Sequence, residues 1–465
     1  MKIKIATRSL PKTPSKKGLE PGAWVDQDTA ILVFHGIGNQ RPIETLDTFA
    51  RGLVGVYLNE AKHDRDALIL EHRIAVKGGE GGRKWFENFV RFRCKDREHH
   101  IDVYEYFWAH HPEDQVSLND LQKWVEHTAN GAKEFYDQQQ FSEKHGDSSV
   151  FVEDGKFNAA RYRRTMFVAV QLVPALTRMV AAVLNFARHI PWVGRLAFAQ
   201  LEKLRETALC QLTNVAGDVV AYNTMDEKAR LFEIRTRVLN GAVDALRFLI
   251  EPQKVAGSPD KKRQYDRVII AAHSLGTQIS FDAINRFSHL ISQGEIEGVD
   301  RNGNLTGAAG APKKPVAEVL AGYATFGSPL DKIAFFFRDR SRKEAYLRRQ
   351  ILEHFHCFKE KDWGDAQPDE LPLQDGLKAR FFHDIPWRNY FDCNDAVSGR
   401  LDYYANVENI NCHFVNHPAG EKIGWRARLW PFTHSYYWES EAMYADIVGN
   451  LVHRSSKAVA REEAA

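Results

Sequence analysis

Val268-Ile269-Ile270-Ala271-Ala272-His273-Ser274-Leu275-Gly276-Thr277 is the stretch whose reading decides the fold of this chain. An apolar, strand-forming run enters a turn built from small residues, Ala272 and Gly276, around a serine. Thr277-Gln278-Ile279-Ser280-Phe281-Asp282-Ala283-Ile284 then continues in a pattern a helix accepts. A chain that turns sharply from strand to helix has no room for side chains on either flank of the turn. The residue at its tip therefore stands clear at the end of a sheet, beside the free amides of a helix N-terminus. Ala272 occupies the first small position, where such turns usually carry glycine, and is small enough to keep the turn.

Working outward, Thr29-Ala30-Ile31-Leu32-Val33-Phe34 is a second nearly continuous apolar run, as a strand buried on both faces requires. It ends in His35-Gly36-Ile37-Gly38, and Leu46, Phe49, Leu53, Val54 and Tyr57 then share one helical stripe. Ile101–Trp108 reads as the next main strand, with Phe89–Arg93 before it as a hairpin partner. Strand pattern resumes at Arg267–Ala272, Val319–Phe326, Ala379–Ile385 and Ile423–Arg428, mostly with helical segments between. Alternating strands and helices predict an α/β fold, a mainly parallel sheet covered on both sides. Residues 1–28 read as an N-terminal tail, 29–111 and 215–454 as the core, 112–214 as a helical insertion, and 455–465 as a frayed tail.

The 465 residues exceed one average domain, yet an α/β core with an insertion absorbs them. A net charge of +2 gives no basis for a nucleic-acid partner. The five cysteines, Cys94, Cys210, Cys357, Cys393 and Cys412, are odd in number and widely spaced. They read as thiols in a reducing compartment. The first residues lack the apolar core of a secretory signal, so cytoplasmic localisation is the expectation. The longest apolar stretch, Met166–Ala187, contains Gln171, Pro174, Arg178 and Asn185 and follows Arg161, Arg163 and Arg164. A buried or lid helix leads the readings of it. A helix resting on a bilayer through 161–198 comes second, and a membrane span third.

A serine hydroxyl needs a base to take its proton, and the base needs a carboxylate to orient it. In the fold expected here the chain order is serine, then acid, then histidine. Ser274 is then the nucleophile and His434, in Thr433-His434-Ser435, the base, with His413 and His417 as rivals. Asp395 is the acid, with Asp392 and Asp331 as rivals. Two amides must face the developing oxyanion: Leu275, directly after the serine, and Ile37, in the glycine-rich loop after the first strand. Glu353-His354-Phe355-His356-Cys357 and the pairs His99-His100 and His110-His111 carry metal-capable side chains. They lack a second ligand pair at zinc-site spacing, so no metal is expected. Without a G-x-x-x-x-G-K-[ST] loop or a convincing G-x-G-x-x-G, no nucleotide cofactor is expected either.

Phe34-His35-Gly36-Ile37-Gly38, Ala272-His273-Ser274-Leu275-Gly276, Phe326-Gly327-Ser328-Pro329-Leu330, Asp395-Ala396-Val397 and Thr433-His434-Ser435 together resemble the α/β-hydrolase superfamily, in its lipase- and esterase-like branch. The resemblance covers roughly 29–110 and 215–450 and not the insertion. It implies an α/β-hydrolase fold and carboxylester hydrolysis through an acyl-enzyme, without a cofactor, on an ester or lipid-like substrate. Two alternatives stand beside it. One is a catalytically silent fold that binds a lipid or a protein; the other is a phospholipase effector that attacks membranes.

Overall fold

The computed structural model describes residues 7–9, 19–36, 43–74, 88–108, 152–153, 156–157, 230–254, 260–306, 314–330, 381–382, 385–392, 395, 398–401, 406–414 and 432–453. Among these, nine strands form one sheet. In chain order they are β1 (Thr7–Ser9), β2 (Thr29–Phe34), β3 (Leu68–Ile74), β4 (Asn88–Cys94), β5 (His100–Tyr106), β6 (Arg267–His273), β7 (Leu320–Phe326), β8 (Trp387–Phe391) and β9 (Val407–Asn411). Across the sheet they run β1-β9-β8-β7-β6-β2-β5-β4-β3. The six pairings from β1 across to β5 are parallel, and only the β5-β4 and β4-β3 pairs at one edge are antiparallel.

The centre of the sheet is apolar because both of its faces are covered. Every residue of β2 and β6 is buried. Alternate side chains divide between two cores, as the two-residue period of a strand dictates. Ala30, Leu32, Val268, Ile270 and Ala272 meet helices α2 (Arg230–Ile250) and α3 (Leu275–Gln293). Ile31, Val33, Ile269 and Ala271 meet α1 (Glu44–Asn59) and α4 (Glu441–Ile447). The expected helical stripe is the buried face of α1, where Leu46, Phe49, Leu53 and Tyr57 are inaccessible. Helices α1 and α4 approach so closely that a Cβ on Gly52 would stand 2.4 Å from the Tyr444 ring.

Three departures from the sequence reading have physical causes. The strand expected at Ala379–Ile385 lies instead at Trp387–Phe391, and Phe381–Phe382 forms a turn. Phe382 and Ile385 are buried, so their apolar character reflects core packing. Pro386 separates them from the strand, donating nothing but offering its carbonyl to the Tyr323 N–H at 2.9 Å. Strand β9 is an addition to the sequence reading, because Val407-Glu408-Asn409-Ile410-Asn411 has too few apolar residues to signal a strand. Thr7–Ser9, within the stretch expected to be a tail, pairs with β9 as the edge strand. The expected strand at Ile423–Arg428, residues 455–465 and nearly all of 112–214, including 161–198, lie outside the described residues. Among the described residues no helix is long and apolar enough to cross a membrane.

One buried carboxylate sits where a helix begins. Glu105 on β5 accepts the N–H of Ile43 at 3.0 Å, and Ile43, directly before α1, has a φ of 74°. Burial raises the Glu105 pKa from 4.5 to about 7. The folded chain therefore holds this proton more tightly than the unfolded chain. The resulting stability is full below about 4.5 and is lost as pH rises through about 7. Glu105→Gln, which cannot ionise, is expected to gain stability relative to the native chain across that window. The gain is on the order of 3 kcal/mol and stays constant at higher pH. Thermal melts at a series of pH values check this, and a pH-independent difference refutes it.

Candidate active site

The parallel strands end at one edge of the sheet, and their loops converge there, where open α/β sheets bind ligands. Register brings the ends together: Phe34 pairs with Ala272, His273 with Phe326, and Phe326 with Tyr390. Ser274 follows β6 and holds φ 53° and ψ −128°, a conformation that residues with side chains rarely adopt. Two glycines make room for it. A Cβ on Gly276 would lie 2.4 Å from the His35 carbonyl oxygen, and one on Gly36 would lie 2.7 Å from the Ser274 Cβ. The turn delivers Ser274 to the start of α3, where the Leu275 N–H has no acceptor within the helix.

Ser274, His434 and Asp395 lie in one hydrogen-bonded line. The Ser274 hydroxyl is 2.9 Å from His434 Nε2, and His434 Nδ1 is 2.9 Å from Asp395 Oδ2. A carboxylate accepts only, so Nδ1 carries the proton and Nε2 is left to accept from the serine. All three are buried, Asp395 completely. The line joins chain segments 160 and 39 residues apart.

A second set of groups, which the sequence reading did not single out, holds Asp395. The Tyr437 hydroxyl donates to Asp395 Oδ2 at 3.1 Å, and its oxygen is 2.9 Å from Ser398 Oγ. Burial pushes the Tyr437 pKa well above 10.0, so it stays a phenol and a donor. Its placement three residues after His434 is the sequence signal that could have found it, because one helical turn sets the two side by side. Asp392, the rival acid, serves elsewhere. Its Oδ2 accepts the N–H of Phe414 at 2.6 Å, tying the loop after β8 to the turn after β9. His413 lies in that turn, its N–H bonded to Asn411 Oδ1. Ile37, Asp331 and His417 lie outside the described residues, as do His110, His111, His354 and His356.

The loop after β2 is pinned from its near end. His35 is buried and stacks on Trp108 with ring centroids 4.9 Å apart and planes 5° from parallel. Its Nε2 accepts the Trp108 N–H at 3.2 Å, and its carbonyl accepts the Trp108 indole N–H at 3.1 Å. The end of β5 thereby fixes the backbone that leads into Gly36. Burial raises the pKa of Cys412 well above 9.0, so this thiol is not a nucleophile. His99 and His100 both approach Asp28. Among the described residues no group of three or more His, Cys, Asp and Glu is placed to hold a metal ion.

Burial, orientation and a helix-terminal amide beside a hydroxyl bonded to an imidazole suit nucleophilic attack on a carbonyl group. No family model, curated protein or solved structure matches this chain. Two stability measurements test the geometry. Tyr437→Phe keeps the ring but leaves Asp395 and Ser398 short of a partner, and is expected to cost about 1–3 kcal/mol in urea unfolding. A loss below about 0.5 kcal/mol would mean the bond is absent. Gly276→Ala is expected to cost at least about 3 kcal/mol, because its methyl group meets backbone that cannot yield; an alanine variant of native stability would refute the close approach.

Proposed function

We propose that this chain is a serine hydrolase with an α/β-hydrolase fold that cleaves carboxylic esters. The observation that carries the reading is the line from Ser274 through His434 to Asp395, with 2.9 Å at each link, mounted on a strained strand-to-helix turn. The mainly parallel sheet supports the same reading, with Ser274 on the turn after β6, Asp395 after β8 and His434 on the short helix Phe432–Ser435.

In the proposed reaction His434 Nε2 takes the Ser274 proton as Oγ bonds to the ester carbonyl carbon. The resulting oxyanion is held by the Leu275 N–H, with Ile37 expected to supply a second amide. One such donor is worth about 10²–10³ in rate. Asp395 orients the imidazole and stabilises its cationic form. His434 then gives the proton to the departing alkoxide, which leaves an acyl-enzyme. Water, deprotonated by the same imidazole, attacks the acyl carbon and releases the acid. The apolar run Met166–Ala187, in the insertion between β5 and α2, favours a hydrophobic acyl group and thus a lipid-like ester. The same run, with its flanking arginines, supports peripheral membrane contact through 161–198.

Fluorophosphonates phosphonylate a serine only where a base and an oxyanion site activate it. The native chain is expected to label at Ser274 and to hydrolyse p-nitrophenyl esters. Ser274→Ala is expected to lose both, with turnover down by roughly 10⁴ or more and substrate binding retained. A folded native chain that neither labels nor hydrolyses would leave a binding module as the reading. Unchanged turnover in Ser274→Ala would place the nucleophile elsewhere.

A further inference from the structure

The residue before the nucleophile has no part in the proposed reaction, yet two loops and a short helix (Phe432–Ser435) of the site close on it. His273 ends β6 and is 6% exposed. Its Nε2 lies 3.0 Å from the main-chain carbonyl oxygen of His434. A carbonyl oxygen accepts only, so Nε2 carries the proton and donates it. On its other side, a Cβ on Gly36 would stand 2.8 Å from His273 Nδ1. At Gly327, which follows β7 with φ 61°, a Cβ would stand 3.1 Å from His273 Nε2 and 3.1 Å from His434 Cε1. Glycines at 36 and 327 thus leave the space that this imidazole fills.

The two imidazoles lie with centroids 4.8 Å apart, and Trp438 packs edge-on against His273 at 5.1 Å. Among the described residues nothing bonds His273 Nδ1, which suits a ring held by one bond and by packing. Burial, reinforced by the neighbouring His434, lowers the His273 pKa to about 3. The side chain is therefore neutral at physiological pH. It remains a single donor and sets no fixed positive charge beside the imidazole that must accept a proton.

Resting on the hydrolase reading, we propose that His273 is a positioning residue. Its Nε2–H anchors the main chain of His434, and its ring spaces the short helix that carries His434 from the loop at Gly36. A long side chain at the second position of a small-x-Ser-x-small turn is then part of the machinery and not a free choice.

Two substitutions separate the donor from the ring. His273→Phe keeps a ring and loses the donor; His273→Gln keeps an amide N–H at similar reach and cannot be protonated. The rate constant for fluorophosphonate labelling, normalised to the folded fraction, is expected to fall about 30-fold or more in the phenylalanine variant. The glutamine variant is expected to stay within about 5-fold of the native chain. Equal losses in the two, or no loss with phenylalanine, would overturn the proposal while the hydrolase reading stands. A folded native chain that does not label would remove that reading, and this one with it. Nitrogen-15 NMR of the native chain provides a check that needs no variant to fold. His273 is expected to show the neutral Nε2–H tautomer down to about pH 5. A Nδ1–H tautomer, or protonation near about pH 6.5, would overturn the proposal.

Discussion

The backbone of one residue constrains the rest of the site. Ser274 occupies φ 53° and ψ −128°, which costs on the order of 1–3 kcal/mol for a residue with a side chain. The surroundings must therefore over-determine it. Strand β6 is buried along its whole length and bonded on both sides, and α3 begins immediately after the turn. Phe34 and His35 of the neighbouring strand and its loop press on Gly276, and Gly36 presses on Ser274 itself. Relaxing the turn would require moving the middle of the sheet. The hydroxyl is thus presented from the fully buried middle of the sheet.

Bringing His434 and Asp395 to that hydroxyl depends on the far half of the sheet. Asp395 follows β8, and His434 precedes α4. These two elements are joined by buried polar bonds: Arg388 Nε and the Tyr390 hydroxyl, both on β8, each donate to Asp446 of α4 at 2.8 Å. Arg388 also pairs with Glu408 on β9. Buried charges that are paired and hydrogen-bonded hold a fixed arrangement, since separating them would strand a charge without water. The spacing of the segments that carry Asp395 and His434 is therefore inherited from the pairing of a strand with a helix.

Much of the fold is legible in the sequence because central strands leave a strong local trace. Strand β2 and the span of β6 through Ala272 follow from uninterrupted apolar runs, α1 from its helical stripe, and the β4–β5 hairpin from two strand-like runs close in sequence. Strands towards the sheet edges are less so. Leu68–Ile74 mixes charged and apolar residues on a half-exposed strand, and β9 places two asparagines within five paired residues. In β9, Asn409 is fully buried because its side chain serves as acceptor for Asn389 and for the Leu401 N–H, a role that no local pattern announces.

The sequence by itself determined the turn at Ser274, since a strand-forming run, small flanking residues and a helix-forming continuation act on adjacent residues. It also placed His434 and Asp395 ahead of their rivals by their positions after strand-like runs. Only the tertiary structure decided between Asp395 and Asp392, which stand three residues apart in similar company. One faces His434 and the other bonds the Phe414 N–H, a difference set by contacts across 39 and 22 residues of chain. The same holds for Tyr437 and His273. Their chemistry comes from burial, which keeps one a phenol and the other a neutral imidazole. Burial is a property of how distant segments pack, and local sequence does not carry it.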